Sequence, residues 1–173
     1  MPLDVEAVAE RVTRKIKESP FNGATILHEP GRYLVADAGI LLTQVASIKR
    51  AERIFLGIDA GMHTLLRPAL YDAYHPIDYV NNPAAPCDQK VNVVGQICEN
   101  TDVIARERLL PKAIQVGDLL SIGVVGAYGF CMSSQYNTRP RAAEVLIRKG
   151  KPCLIRERET FDDLIAKTRG EDD

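Results

Sequence analysis

The sequence predicts an α+β chain that is mainly β: an antiparallel β-barrel or sandwich domain preceded by a single βα unit that has no sheet of its own. Two patterns and one quantity predict this. The N-terminal part runs from a helical apolar period into a short apolar stretch that ends in a polar turn. Downstream of Lys49-Arg50, short β-branched runs recur between glycines and prolines. The quantity is length, since 173 residues fall short of the ~250 needed to close a βα-barrel.

The elements follow in order. From Asp4 to Ser19 the apolar residues Val5, Val8, Ala9, Val12 and Ile16 recur at three and four, with Lys and Arg gathered toward the end. That pattern is an amphipathic helix capped by Asp4, whose basic last turn suits the helix dipole. It stops at Ser19-Pro20. Ala24 to His28 reads as a buried strand delivering the turn Glu29-Pro30-Gly31-Arg32, and Tyr33 to Ala46, rich in Leu, Val and Ala, reads as a second helix. Next come candidate strands at Arg53 to Ile58, Val91 to Cys98, Leu119 to Val125, Ala143 to Ile147 and Pro152 to Ile155, the last two joined across Arg148-Lys149-Gly150-Lys151. Phe161 to Lys167 reads as a closing helical turn. The expected division is therefore 1–48, the last helix-strand-helix of an otherwise missing TIM-type βα-barrel, and 49–173, a C-terminal β domain. A lone βα unit leaves strand edges and apolar faces uncovered, so it predicts a partner.

Composition narrows the function. The 22 Lys+Arg balance 23 Asp+Glu, and a nucleic-acid or anionic-membrane binder normally carries a basic surplus. Cys87, Cys98, Cys131 and Cys153 form no Cys-x-x-Cys pair, and His28, His63 and His75 are not spaced as ligands, so no metal site is expected. With no secretory leader and no apolar run of ~18 residues, the expectation is a cytoplasmic chain with reduced thiols and no membrane span.

Four segments carry the chemistry: HEPGRYLVADAG (His28 to Gly39), DAGMHTLLRPALYDAYH (Asp59 to His75), GQICENTD (Gly95 to Asp102) and GAYGFCMSSQYNTRPRAAEVL (Gly126 to Leu146). In Glu29-Pro30-Gly31-Arg32, proline fixes the backbone, glycine permits close approach to a ligand, and arginine offers a planar fork to a carboxylate or phosphate. Arg67 and Tyr71 stand four apart in an otherwise apolar stretch, where a bidentate cation suits a carboxylate. Cys98 ends an apolar run and is followed by the acid Glu99, and Tyr128 lies between small residues that leave its ring and hydroxyl open.

In order and approximate spacing these segments resemble the C-terminal half of the alanine-racemase-like, barrel-plus-β-domain pyridoxal 5'-phosphate (PLP) decarboxylases, most closely the diaminopimelate branch. The resemblance implies that Glu29, Pro30, Gly31, Arg32 and Tyr128 contact the cofactor. It implies that Arg32, Arg67, Tyr71, Glu99 and Tyr128 contact the substrate, Arg67 and Tyr71 at its distal end and Glu99 at its distal ammonium. Cys98 becomes the acid that protonates the carbon left after decarboxylation, in the active site of a neighbouring subunit. Ornithine-type relatives typically carry Asp after this Cys, so Arg67 with Glu99 favours a zwitterionic distal end. The sequence departs from the branch at Val124, where an acid is common, and at Asn100, where Ser is common.

The lysine that binds PLP covalently belongs, in that family, to an early barrel strand. None of Lys15, Lys17, Lys49, Lys90, Lys112, Lys149, Lys151 or Lys167 stands in a matching context. The expected function is thus the C-terminal portion of a diaminopimelate decarboxylase, with PLP as cofactor and an amino acid as substrate. A homodimer, a complementary barrel fragment or a full-length subunit is the expected partner. A related ornithine- or carboxynorspermidine-type decarboxylase and a non-catalytic dimerisation or regulatory β domain are the alternatives.

Overall fold

The structure, a computed structural model, describes residues 3–170. It divides into two units, one ending at Pro30 and one beginning at Gly31.

The first unit contains helix α1 (Val5–Lys17), and the Asp4 carboxylate accepts from Ala7 N at 3.0 Å as the expected cap. No residue of α1 is buried. The expected strand at Ala24 to His28 does not form, and residues 24–30 are exposed coil. The reason is hydrogen bonding: a strand exists only through a neighbour, and no described strand pairs with this segment.

In the second unit the expected helix from Tyr33 to Ala46 is replaced by a short helix α2 (Gly31–Val35), a 3₁₀ turn at Ala36–Ala38, and a ten-residue strand β1 (Leu41–Arg50). The helical course ends at Gly39, whose backbone is extended, and glycine is needed there because a Cβ would meet Gly126 Cα at 2.7 Å. Thr43 and Val45 then point into the core from one face of the strand, while Leu42, Gln44 and Ala46 between and beside them face out. β1 runs through the boundary expected between residues 48 and 49, which therefore does not separate two bodies here.

The remaining elements are β2 (Ile54–Ile58), α3 (Arg67–Tyr71), β3 (Ile77–Tyr79), β4 (Gln89–Val94), β5 (Val103–Leu110), β6 (Leu119–Ile122), β7 (Glu144–Arg148), β8 (Lys151–Arg156) and α4 (Phe161–Ile165). Six strands form one sheet in the order β3-β6-β1-β2-β4-β5. β1 is its spine, since residues 41–44 pair with β6 and Val45 onward with β2, across a bulge between Val45 and Ser47. The sheet is mixed, not wholly antiparallel, because β2 and β4 run parallel, Phe55 opposite Asn92. Leu120, Ile122, Val45, Ile58, Val93 and Leu110 build the core against Leu65. β7 and β8 form a separate hairpin on which Val145, Leu146, Ile147, Leu154 and Ile155 are all exposed.

Candidate active site

The core delivers the chemistry-bearing loops at strand ends. Asp59, just after β2, is tied to β1 by Thr43 Oγ1 at 2.5 Å and Gln44 N at 2.9 Å, both donating to its Oδ1. This fixes the start of the Asp59–His63 loop. Asp102 then joins that loop to the Cys98–Glu99 loop. Its carboxylate, 3% exposed, accepts from Met62 N at 2.7 Å and from Ile97 N at 2.6 Å. Gly61 and Gly95 make room for it, since a Cβ on either would collide with the Asp102 carboxylate. Short backbone bonds complete the turn, Glu99 N to Ile97 O and Asp102 N to Glu99 O at 2.8 and 3.1 Å. Cys98 and Glu99 are thereby held out to solvent on a clamped loop.

Asp102→Asn keeps one acceptor and turns an N–H₂ toward a backbone N–H, so it is expected to lower unfolding stability by about 2 kcal/mol. Urea unfolding of the two chains measures it, and an unchanged midpoint contradicts this role.

Glu99 has a partner that the sequence did not suggest. Tyr136 Oη donates to Glu99 Oε1 at 2.5 Å. The Glu99 carboxylate, through this bond and then its charge, pushes the Tyr136 phenol above its ordinary value, with small additions from burial and Cys98. Glu99→Gln is accordingly expected to move the Tyr136 titration downward, read by ultraviolet difference spectra against Tyr136→Phe. Tyr136 also lines, with Met62, Leu66, Ser134 and Gln135, an open groove of about 590 Å³. Ser134 N donates to His63 O at 2.8 Å, holding this segment against the Asp59–His63 loop.

A second group of residues gathers around the loop after β6. Val125 N donates to Gly39 O at 3.1 Å and Gly126 N to Ala36 O at 2.9 Å, so the segment leading to Tyr128 is laced to the turn that follows α2. Gly126 is required there, because a Cβ would run into Val35 O and Gly39 N. Arg32, exposed on α2, and Tyr128, exposed with φ 60°, thus belong to adjoining segments. Val124, the departure noted in the sequence, also takes a left-handed backbone (φ 61°), which a β-branched residue adopts only under strain. Gly31 and Arg32 lie in the second unit, whereas Glu29 and Pro30 are exposed coil in the first.

Arg67 is the most unusual of the expected site residues. It opens α3 and is only 8% exposed, yet no described carboxylate pairs with it. Its one side-chain partner is His75, with Nη1 to Nε2 at 3.3 Å. A covered cation normally has an anion beside it, and one without is set up to receive one. Tyr71, at the end of α3, is exposed. Among the described residues, neither a metal-binding cluster nor a helix long and apolar enough to cross a membrane is present.

The family described as "Pyridoxal-dependent decarboxylase, C-terminal sheet domain" matches residues 32–126, the stretch that carries nearly all of α2, the six-stranded sheet, Arg32, Arg67, Tyr71, Cys98 and Glu99, while Tyr128 and Tyr136 follow it. The chain belongs to that family. Among decarboxylases with which it is similar, the diaminopimelate decarboxylase of Methanothermobacter thermautotrophicus is 49% identical over 95% of this chain and 39% of that protein. Of solved structures, diaminopimelate decarboxylase from M. jannaschii in co-complex with L-lysine aligns with a TM-score of 0.83 and 41% identity, over 98% of this chain and 38% of that one. The Helicobacter pylori diaminopimelate decarboxylase complexed with L-lysine aligns at 0.81 and 36%, over 95% and 39%. The chain therefore spans roughly two fifths of the length of these decarboxylases.

Proposed function

We propose that this chain is the substrate-reading and proton-donating C-terminal portion of a PLP-dependent decarboxylase that converts meso-diaminopimelate to L-lysine and CO₂. The observation that carries the reading is Arg67, a covered cation with no anion partner among the described residues. A distal carboxylate would complete it with a charge-assisted, bidentate contact. Glu99, steadied by Tyr136 through Oε1, keeps Oε2 for the distal ammonium. Together they read both charges of a zwitterionic end, and a substrate with a simple amine leaves Arg67 unpaired. Cys98, exposed on its clamped loop, supplies the proton to the substrate carbon that has lost CO₂.

PLP fits the free groups on this chain in part. The exposed Arg32 and the open Tyr128 hydroxyl offer donors for its phosphate. When bound, PLP withdraws electrons from the carbon that loses CO₂. All eight lysines are exposed, and none is desolvated in a pocket as a covalent anchor requires. The anchor therefore comes from a barrel portion on another segment or chain, and we assign the first unit, with Glu29 and Pro30, to the end of that barrel.

Assembly is part of the proposal. The β7–β8 hairpin exposes aliphatic side chains on both of its faces, more than a lone chain keeps in water. The expected partners are the complementary barrel portion and a second copy, in a cytoplasmic homodimer. Four exposed, unpaired cysteines suit a reducing compartment. The test is genetic: in a cell lacking diaminopimelate decarboxylase, this chain together with a separately encoded barrel portion should restore growth without lysine. Growth that stays lysine-dependent with both parts soluble and associated overturns the reading.

A further inference from the structure

His75 is 1% exposed and makes two side-chain contacts, Nε2 to Arg67 Nη1 at 3.3 Å and Nδ1 to Gly123 O at 2.9 Å. A guanidinium only donates and a carbonyl only accepts. One tautomer satisfies both: Nδ1 carries the proton and Nε2 accepts. An imidazolium would point a proton at Arg67 and lose that contact.

The surroundings favour the same state. Burial lowers the affinity of His75 for a proton, the Gly123 carbonyl opposes this, and the cations Arg67 and Arg108 lower it further. Arg67 comes from α3, and Arg108 from β5, where its Nη1 donates to His75 O at 2.9 Å and its guanidinium rests over the Tyr74 ring. No carboxylate enters this cluster through a hydrogen bond or ion pair among the described residues. Gly123 in turn begins the segment that leads through Val124 to Tyr128.

We infer that His75 is a positioning residue for substrate recognition: as an Nδ1–H imidazole it aims the Arg67 guanidinium at the substrate's distal carboxylate without neutralising it, and links that aim to the Tyr128 loop through Gly123. The inference rests on the distal-carboxylate reading of Arg67 given above. Its chemical logic is selective. A carboxylate in place of His75 would hold Arg67 equally well but satisfy its charge, and substrate would then compete with the protein. A neutral acceptor orients the cation and leaves the charge for the ligand.

The test has two arms. On the 173-residue chain, long-range ¹H–¹⁵N spectra of the histidine rings should show His75 as the Nδ1–H tautomer at neutral pH. An Nε2–H ring, or an imidazolium at neutral pH, overturns the inference. In the enzyme assembled with its barrel portion, His75→Asn keeps a donor for Gly123 O but does not reach Arg67, whereas His75→Gln places an acceptor near Nη1. His75→Asn should raise KM for meso-diaminopimelate about tenfold, the loss of one hydrogen bond to a charged group, with kcat little changed, and His75→Gln should recover most of it. Equal losses in the two variants, or a fall in kcat at constant KM, overturn the inference. An inactive wild-type assembly with the Nδ1–H spectrum intact instead counts against the decarboxylase reading, so the two failures differ.

Discussion

Cys98→Ala is expected to lower the rate of lysine formation by the assembled enzyme about 10²- to 10⁴-fold, the range spanned by a positioned general acid. KM for meso-diaminopimelate should change little, because in the proposed function the thiol acts on the reacting carbon, and Arg67 and Glu99 are assigned to the distal end. The geometry behind this is specific to one of four exposed thiols. Only Cys98 sits on the loop that Asp102 pins through Ile97 N and Met62 N, beside a glutamate whose carboxylate is already oriented. Cys87→Ala, Cys131→Ala and Cys153→Ala serve as controls with wild-type turnover. Steady-state rates with saturating substrate check this, and a Cys98→Ala enzyme turning over within a few-fold of wild type contradicts the assigned role.

Arg67→Met is expected to separate function from stability. Activity should fall through KM for meso-diaminopimelate, by about 10- to 100-fold for a lost charge-assisted contact. Stability should move by no more than about 1 kcal/mol. Removing a covered cation that has no anion among the described residues relieves a desolvation cost, while His75 Nε2 is left without a donor, which opposes that gain. An arginine whose function is structural would behave the opposite way, losing stability and sparing KM. Urea unfolding beside steady-state kinetics on the same variant distinguishes them.

Much of the fold was legible because its signals are local. The Asp4 cap and three-four apolar spacing marked α1, and β-branched runs marked β2, β4, β6, β7 and β8 within a few residues. The β1 segment reads as helix in sequence because Leu, Val and Ala suit both states; what decides it is pairing with β2 and with β6, the latter far along the chain. β5 escaped notice because Arg106, Glu107 and Arg108 interrupt its apolar pattern, Glu107 at a left-handed backbone position whose N–H donates to Asn92 Oδ1 at 3.1 Å. The parallel pairing of β2 with β4 was equally invisible, since the intervening chain carries α3 and β3 before returning.

The site divides the same way. Cys98, Glu99, Arg67, Arg32 and Tyr128 stand in motifs, and their residue types already suggest acid, anion, cation and open hydroxyl. Tyr136, His75 and Asp102 act through partners 37, 8 and 40 positions away, and nothing adjacent to them advertises those partners. One signal was present for Asp102: glycines 61 and 95 in two separate motifs both leave the space its carboxylate fills. Metal-ligand spacing, the criterion applied to the histidines in the sequence, is blind to a histidine hydrogen-bonded to an arginine as His75 is to Arg67.

The most direct test of the central claim is to mix the purified chain with a purified barrel portion of a diaminopimelate decarboxylase, add PLP and meso-diaminopimelate, and measure CO₂ and L-lysine together. Equimolar CO₂ and L-lysine are expected from the mixture and neither from either part alone. A mixture that forms a stable complex, binds PLP and releases no CO₂ would contradict the claim.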